Sequence, residues 1–205
     1  MDHDAPHSLH QQPVPGEERF LCLALVNTRY ALSHGQVDLL EDPGAAHLWL
    51  VRHELLPDRT KLTGRHIARL RALREALREL FAARAAGTAP PAAALDTVNA
   101  ALAAAPPTPR LDWSGREPRR ADEPDAANPV GAALGALAED GAELLTGADA
   151  GRLAPCGAQG CTRWFLRSHA ARRWCTTKCG NRVRAARHYA SRKSPADPPP
   201  GRPAP

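Results

Sequence analysis

Aromatic residues are scarce, with tryptophan, tyrosine and phenylalanine together making up 4% of the 205 residues. A core built on large rings is thereby excluded, and leucine, valine and alanine packed on helices must supply the buried surface. Lysine is scarce as well, so the basic character rests on arginine. Long hydrophobic runs are missing: the first eighteen residues are polar, and Phe20 to Val26 falls far short of the roughly 18 apolar residues a membrane helix needs. That pattern predicts a cytoplasmic protein without a membrane partner. No nucleophile, general base or phosphate-loop pattern stands out, so a non-catalytic role is expected. Nor is there an internal repeat of fixed period.

One absence is local and more telling. Between Arg152 and Lys193 there are eleven basic residues and no acidic one. The other 16 of the 27 basic residues share the remaining chain with all 22 acidic ones, a net of −6 there against +5 for the whole. Two regions of opposite sign share one sequence.

At this length the chain holds one ordinary core and one small appendage. Residues 1–18, with His3, His7 and His10 among polar neighbours, read as a disordered lead-in. Residues 19–150 read as a helical domain. A first helix runs from Phe20 through Asn27 and Thr28 to Tyr30 and Ala31. A second starts at Asp42-Pro43-Gly44 and reaches about Leu55, before Pro57. Thr63 to Arg84 is the clearest helix, with Ile67, Leu70, Leu73, Leu77, Leu80 and Phe81 on one stripe and Gly87 at its end. Its arginines alternate with glutamates and read as a solvated face. Further helices are expected over 92–105 and 129–145, with a short strand at 111–113 and an exposed loop over 114–128. Cys22 lies in an apolar run and reads as a small buried hydrophobe. Six prolines in the last twelve residues make 194–205 a disordered tail.

The chemistry concentrates in residues 151–193. Cys156 and Cys161 form one close pair, Cys175 and Cys179 a second, with thirteen residues between the pairs. In a reducing compartment such pairs point to metal rather than disulfide. Zinc takes about four soft ligands in a tetrahedron at roughly 2.3 Å, and two short loops supply them; four filled positions make the ion structural, one Zn²⁺ per chain. Trp164-Phe165-Leu166 reads as a strand, with Ala171 to Trp174 leading back as its hairpin partner. Thr176 or Thr177 caps a helix that runs to about Lys193. The fold class is therefore mainly α: a helical N-terminal domain followed by a small treble-clef-like zinc finger made of a short β-hairpin and a basic helix.

On that helix Val183, Ala186 and Ala190 form an expected packed stripe, with Arg182, Arg184, Arg187, Arg192 and Lys193 outward. Four thiolates and one Zn²⁺ contribute −2, leaving the module at about +9, a charge suited to a polyanion. Arg184 and Arg187 are candidate phosphate contacts, together with Arg182. Asn181 either reaches nucleic acid or braces the zinc loop. Asn27, polar within an apolar helix, is either a satisfied core group or part of a small-ligand pocket. DNA is the leading partner. RNA, stacked on Trp164, Trp174 or Tyr189, is an alternative, and so is an acidic protein surface.

The string Arg172-Arg-Trp-Cys175, then Cys179-Gly-Asn-Arg182 and the helix Val-Arg-Ala-Ala-Arg-His-Tyr, resembles the CGNR zinc finger family. Upstream, Leu23-Ala-Leu-Val-Asn-Thr28, Val37-Asp-Leu-Leu40 and Trp49-Leu50 resemble the ABATE domain that precedes that finger. The resemblance covers about residues 18–193. It implies a bacterial transcription regulator: a Jann2411-like helical domain that senses a small ligand or stress, coupled to a finger that docks on DNA, which would place the protein at the nucleoid. Two departures stand out. The family's second pair is more often Cys-Ser-Met-x-x-Cys, whereas three residues separate Cys175 from Cys179, and Phe165 is followed by Leu166 rather than Asp.

Overall fold

The computed structural model describes residues 13–32 and 35–193. The expected histidine-bearing stretch 1–12 and the proline tail 194–205 lie outside the described residues.

Leucine spacing and good caps build the central helix, α3 (Gly64–Ala86). The Thr63 hydroxyl accepts from the His66 N–H while His66 accepts from the Thr63 N–H, closing a capping box, and Gly87 ends the helix in the left-handed region at φ 67°. Its apolar stripe packs against α4 (Ala92–Ala104) and α5 (Pro129–Thr146), the latter capped by the Asn128 side chain. Two shorter helices complete the layer: α1 (Leu21–Val26) lies against α3 and α5, and α2 (Pro43–Arg52), capped by Asp42, lies against α3. Cys22 is fully buried among them.

The first helix is shorter than its apolar run suggested. α1 stops at Asn27, and β1 (Arg29–Leu32) pairs antiparallel with β2 (Gly35–Asp38) where helix was expected. The arginines of α3 explain why. Arg74 is 2% exposed rather than solvated; it donates to both carboxylate oxygens of Asp38 and to the Thr28 hydroxyl, tying β2 and the end of α1 to the core helix. Arg71 donates to the Leu40 carbonyl at 3.1 Å, and Arg78 to that of Val26 at 3.0 Å. Positions 71, 74 and 78 share one helix face, and that face is an interior anchor for the hairpin rather than a surface.

The short strand expected at 111–113 is the end of a longer β3 (Thr108–Asp112), and the expected loop over 114–128 holds its antiparallel partner β4 (Arg119–Glu123), a second hairpin. Ion pairs Arg110–Glu123 and Arg119–Asp112 bridge its strands, so cross-strand charge replaces apolar alternation as the pairing signal.

The last hairpin differs from expectation in its partner. β6 (Trp164–Leu166) pairs with the upstream β5 (Leu153–Pro155), not with residues 171–174. All three β6 side chains are buried, and with a period of two they serve both faces: Trp164 and Leu166 enter the main helical core, while Phe165 enters a smaller cluster with Val14, Ala154, Cys156 and Cys175. The first and last parts of the chain thus share one strand.

Residues 13–18, read as part of a disordered lead-in, are docked on that strand. Leu166 donates its N–H to the Pro15 carbonyl at 2.8 Å, and Val14 is 1% exposed. Gly16 adopts φ 105°, and a Cβ there would lie 2.7 Å from Leu166 Cγ, so glycine alone fits. Among the described residues no helix is long and apolar enough to cross a membrane.

Candidate metal centre and its basic helix

The knuckle before β6 carries Cys156 and Cys161, and the turn into α6 (Thr177–Lys193) carries Cys175 and Cys179. Thr176 caps the helix, its hydroxyl accepting from the Cys179 N–H at 3.3 Å, which sets Cys179 in the first turn facing Cys175. All four sulfurs lie within 4.8 Å of one another. Cys161 and Cys175 are 3.8 Å apart and Cys175 and Cys179 3.7 Å, which matches the edge of about 3.8 Å that Zn–S bonds near 2.3 Å give a tetrahedron. The shortened second pair therefore still reaches the same centre.

The electrostatics point to a cation. Hydrogen bonds from the Cys161 and Cys175 thiols hold Cys156 as a thiolate, its pKa lowered to about 2. The same bonds to Cys156 push Cys161 up to about 11 and Cys175 higher still. Four sulfurs this close cannot all ionise alone, and a divalent ion resolves the conflict by taking all four as thiolates. The Cys175 N–H also points at Cys156 Sγ at 3.4 Å. The four cysteines make a closed site for one structural zinc ion. Neither His169 nor His188 belongs to the cluster.

Arg172, which the sequence did not single out, organises the second knuckle. Its guanidinium donates to the carbonyls of Trp174 and Cys175 at 3.1 and 2.9 Å and lies 5.6 Å over the Phe165 ring. The signal was available in Arg172-Arg-Trp-Cys175, but arginine beside a ligand reads first as charge. Gly180 has a packing role: a Cβ there would sit 3.2 Å from the Trp174 ring.

Residues 20–148 match the family model ABATE, described as "Putative stress-induced transcription regulator". The chain belongs to the ABATE family. Residues 152–192 match the CGNR zinc finger. No curated protein matches the chain.

Within this ABATE protein the residues expected to touch nucleic acid divide into two groups. Arg182 donates to the Gln159 carbonyl at 3.1 Å and clamps the first knuckle to the helix. Arg184 donates to the Asn181 side chain at 2.5 Å and stacks 5.8 Å from the Trp174 ring. Asn181 is thus engaged with Arg184 rather than with the zinc loop. Arg187 is exposed and makes no hydrogen bond or ion pair among the described residues. The expected packed stripe does not form: past Val183 every residue from Arg184 to Arg192 is exposed, Ala186 and Ala190 included. The cause is geometric, since the body ends at Trp174 and Val183 while α6 runs on.

Asn27 has both of its polar atoms engaged. Its Nδ2 donates to the Trp164 carbonyl at 2.9 Å and to Glu17 at 2.6 Å, and its Oδ1 accepts from the Trp164 N–H at 2.9 Å. The amide thus pairs with β6 as a neighbouring strand would, joining the ABATE segment to the finger. Arg78 adds a second tie to the Thr162 carbonyl at 2.9 Å.

Proposed function

We propose that the protein is a non-catalytic transcription regulator in which the zinc-held finger docks α6 on duplex DNA and the ABATE domain senses a small ligand. The observation that carries this reading is the helix that leaves the body. Arg184, Arg187 and Arg192 project with no acidic residue between Arg152 and Lys193, on a helix that beyond Val183 is exposed on all sides among the described residues. Such a helix gains little from its own fold, and its stability rises when a partner covers it. Its diameter of about 10–12 Å suits a major groove about 12 Å wide. Zinc's part is structural, and the direct docking falls to the arginines.

Tyr189, 73% exposed on the same helix, favours RNA as a second reading, because a free ring can stack on an unpaired base. Trp164 is buried and Trp174 lies beside Arg184, which leaves Tyr189 as the exposed ring of the three. Competition between a duplex and a single-stranded RNA of equal length, repeated over a salt series, separates the readings. With about three phosphates neutralised, one for each of these arginines, duplex affinity falls with a log–log slope near −2.7. Preference for the RNA that disappears in Tyr189→Ala would replace the DNA reading with the RNA one.

A further inference from the structure

Two surfaces of the chain lie open, and they are opposite in charge. The first is a groove of about 460 Å³ between α4 and α5, floored by Leu102, Ala105 and Ala133. Five carboxylates border it, those of Glu54, Asp122, Glu139, Asp140 and Glu143, and none of the described residues that line it is basic. Glu54, Glu139 and Glu143 enter no ion pair among the described residues, while Asp122 has Arg120 at 3.6 Å and Asp140 accepts from the Cys22 N–H at 2.7 Å. Burial, with the Glu143 charge added to it, raises the Asp140 pKa against its hydrogen bonds, as expected of a carboxylate with no cation beside it.

The second surface is α6 beyond Val183, where every residue from Arg184 to Arg192 is exposed, about 13 Å of bare helix. Val183, Ala186 and Ala190 share one row of this helix, with Arg187 at the edge of the row and Arg192 on the opposite face. On α5, Ala132, Ala136, Glu139 and Glu143 likewise share one row, and the last three are exposed. Facing alanine rows let two helices approach to about 8 Å, which brings the carboxylates of one within reach of an arginine on the other.

We infer that the groove takes α6 of a second copy of the chain, with Ala186 and Ala190 seated on Ala132 and Ala136 and Arg187 paired to Glu139 and Glu143. The helix comes from a second copy because its own root is fixed. Cys175, Cys179 and the Trp174 ring against Gly180 set the direction of α6 within its own chain, and there both rows stay exposed. One bare helix in one groove is a contact at the low end of interface areas, so the association is transient and sensitive to salt. It covers the helix assigned above to DNA but does not rest on that assignment.

Sedimentation velocity of the zinc-loaded full chain tests it. At about 100 µM chain and about 50 mM salt a species larger than the monomer is expected, and it dissociates at about 0.5 M salt. Glu139→Arg/Glu143→Arg in the groove and Arg187→Glu/Ala190→Glu on the helix, all at exposed positions, each weaken association at least about tenfold with zinc content and circular dichroism unchanged. Mixing the two variants restores it, since the helix of the first and the groove of the second are intact. Arg192→Glu makes the same charge change on the opposite face of α6 and leaves association within about threefold of wild type. A wild type that is monomeric at low salt, association retained in the groove variant, a mixture that stays monomeric, or an equal loss in Arg192→Glu overturns the assignment.

Discussion

Replacing Asn27 by alanine perturbs the joint between helical domain and finger without touching a zinc ligand. The substitution strips the Trp164 N–H and C=O of their side-chain partners in a position 6% exposed. An unsatisfied buried polar group costs about 1–3 kcal/mol. Water can reach part of the site through the cavity that Asn27 lines with Tyr30 and Trp49, so a total loss of about 3 kcal/mol is expected. For a chain of this size that lowers Tm by roughly 6–12 °C. Urea and thermal unfolding of zinc-saturated protein measure the loss, and zinc content is determined on the same material. Content should stay at about one per chain, because Asn27 is bonded to β6 and Glu17 and not to a sulfur. A loss below about 0.5 kcal/mol would refute the brace, as would zinc release with unchanged stability of the helices.

Further outcomes follow from the other ties. Asp38→Asn leaves buried Arg74 with Glu75 as its remaining carboxylate partner and costs about 3 kcal/mol, the low end for breaking a buried pair. Burial raises the Asp38 pKa, but the Arg74 and Leu40 hydrogen bonds outweigh it and the net direction is down. The stabilisation is therefore full above the unfolded value near 3.9 and is lost as pH falls through the folded pKa, so denaturant midpoints of wild type and variant converge only below about pH 4. Arg172→Ala removes the donors to the Trp174 and Cys175 carbonyls and should weaken zinc about 10–100-fold in competition with a chromophoric chelator. Cys175→Ser opens the small cluster of Val14, Phe165 and Cys156. Amide exchange should then accelerate in residues 13–18 and in β5 while α3 stays protected; simultaneous loss of α3 protection would contradict the division into two clusters.

Much of this was legible in the sequence where local chemistry decides the outcome. Thr63, the leucine stripe and Gly87 define α3 by themselves, and paired cysteines at close spacing define the centre. The remainder depends on partners distant in the chain. Asn27 finds Trp164 across 137 residues, and nothing within α1 signals that its amide replaces a strand edge. Arg71, Arg74 and Arg78 carry the same letters as solvated arginines, and only the carbonyls and Asp38 facing them make them interior. β5 is three residues long, too short for alternation to show, so nothing local marks it rather than residues 171–174 as the partner of β6. α6 reads as amphipathic, yet no surface in the described residues covers its alanines beyond Val183.

The most direct test of the central claim is duplex binding by Arg187→Glu/Arg192→Glu, compared with wild type at equal zinc content. Both positions are exposed and lie beyond the zinc knuckles, so one zinc per chain and an unchanged melting curve are expected. Reversing two charges removes about two phosphate contacts and adds repulsion, so affinity should fall at least a hundredfold at low salt and the salt slope should flatten by about 2. Wild-type affinity in this variant, with zinc and stability intact, would contradict the account of α6 as the DNA-docking element.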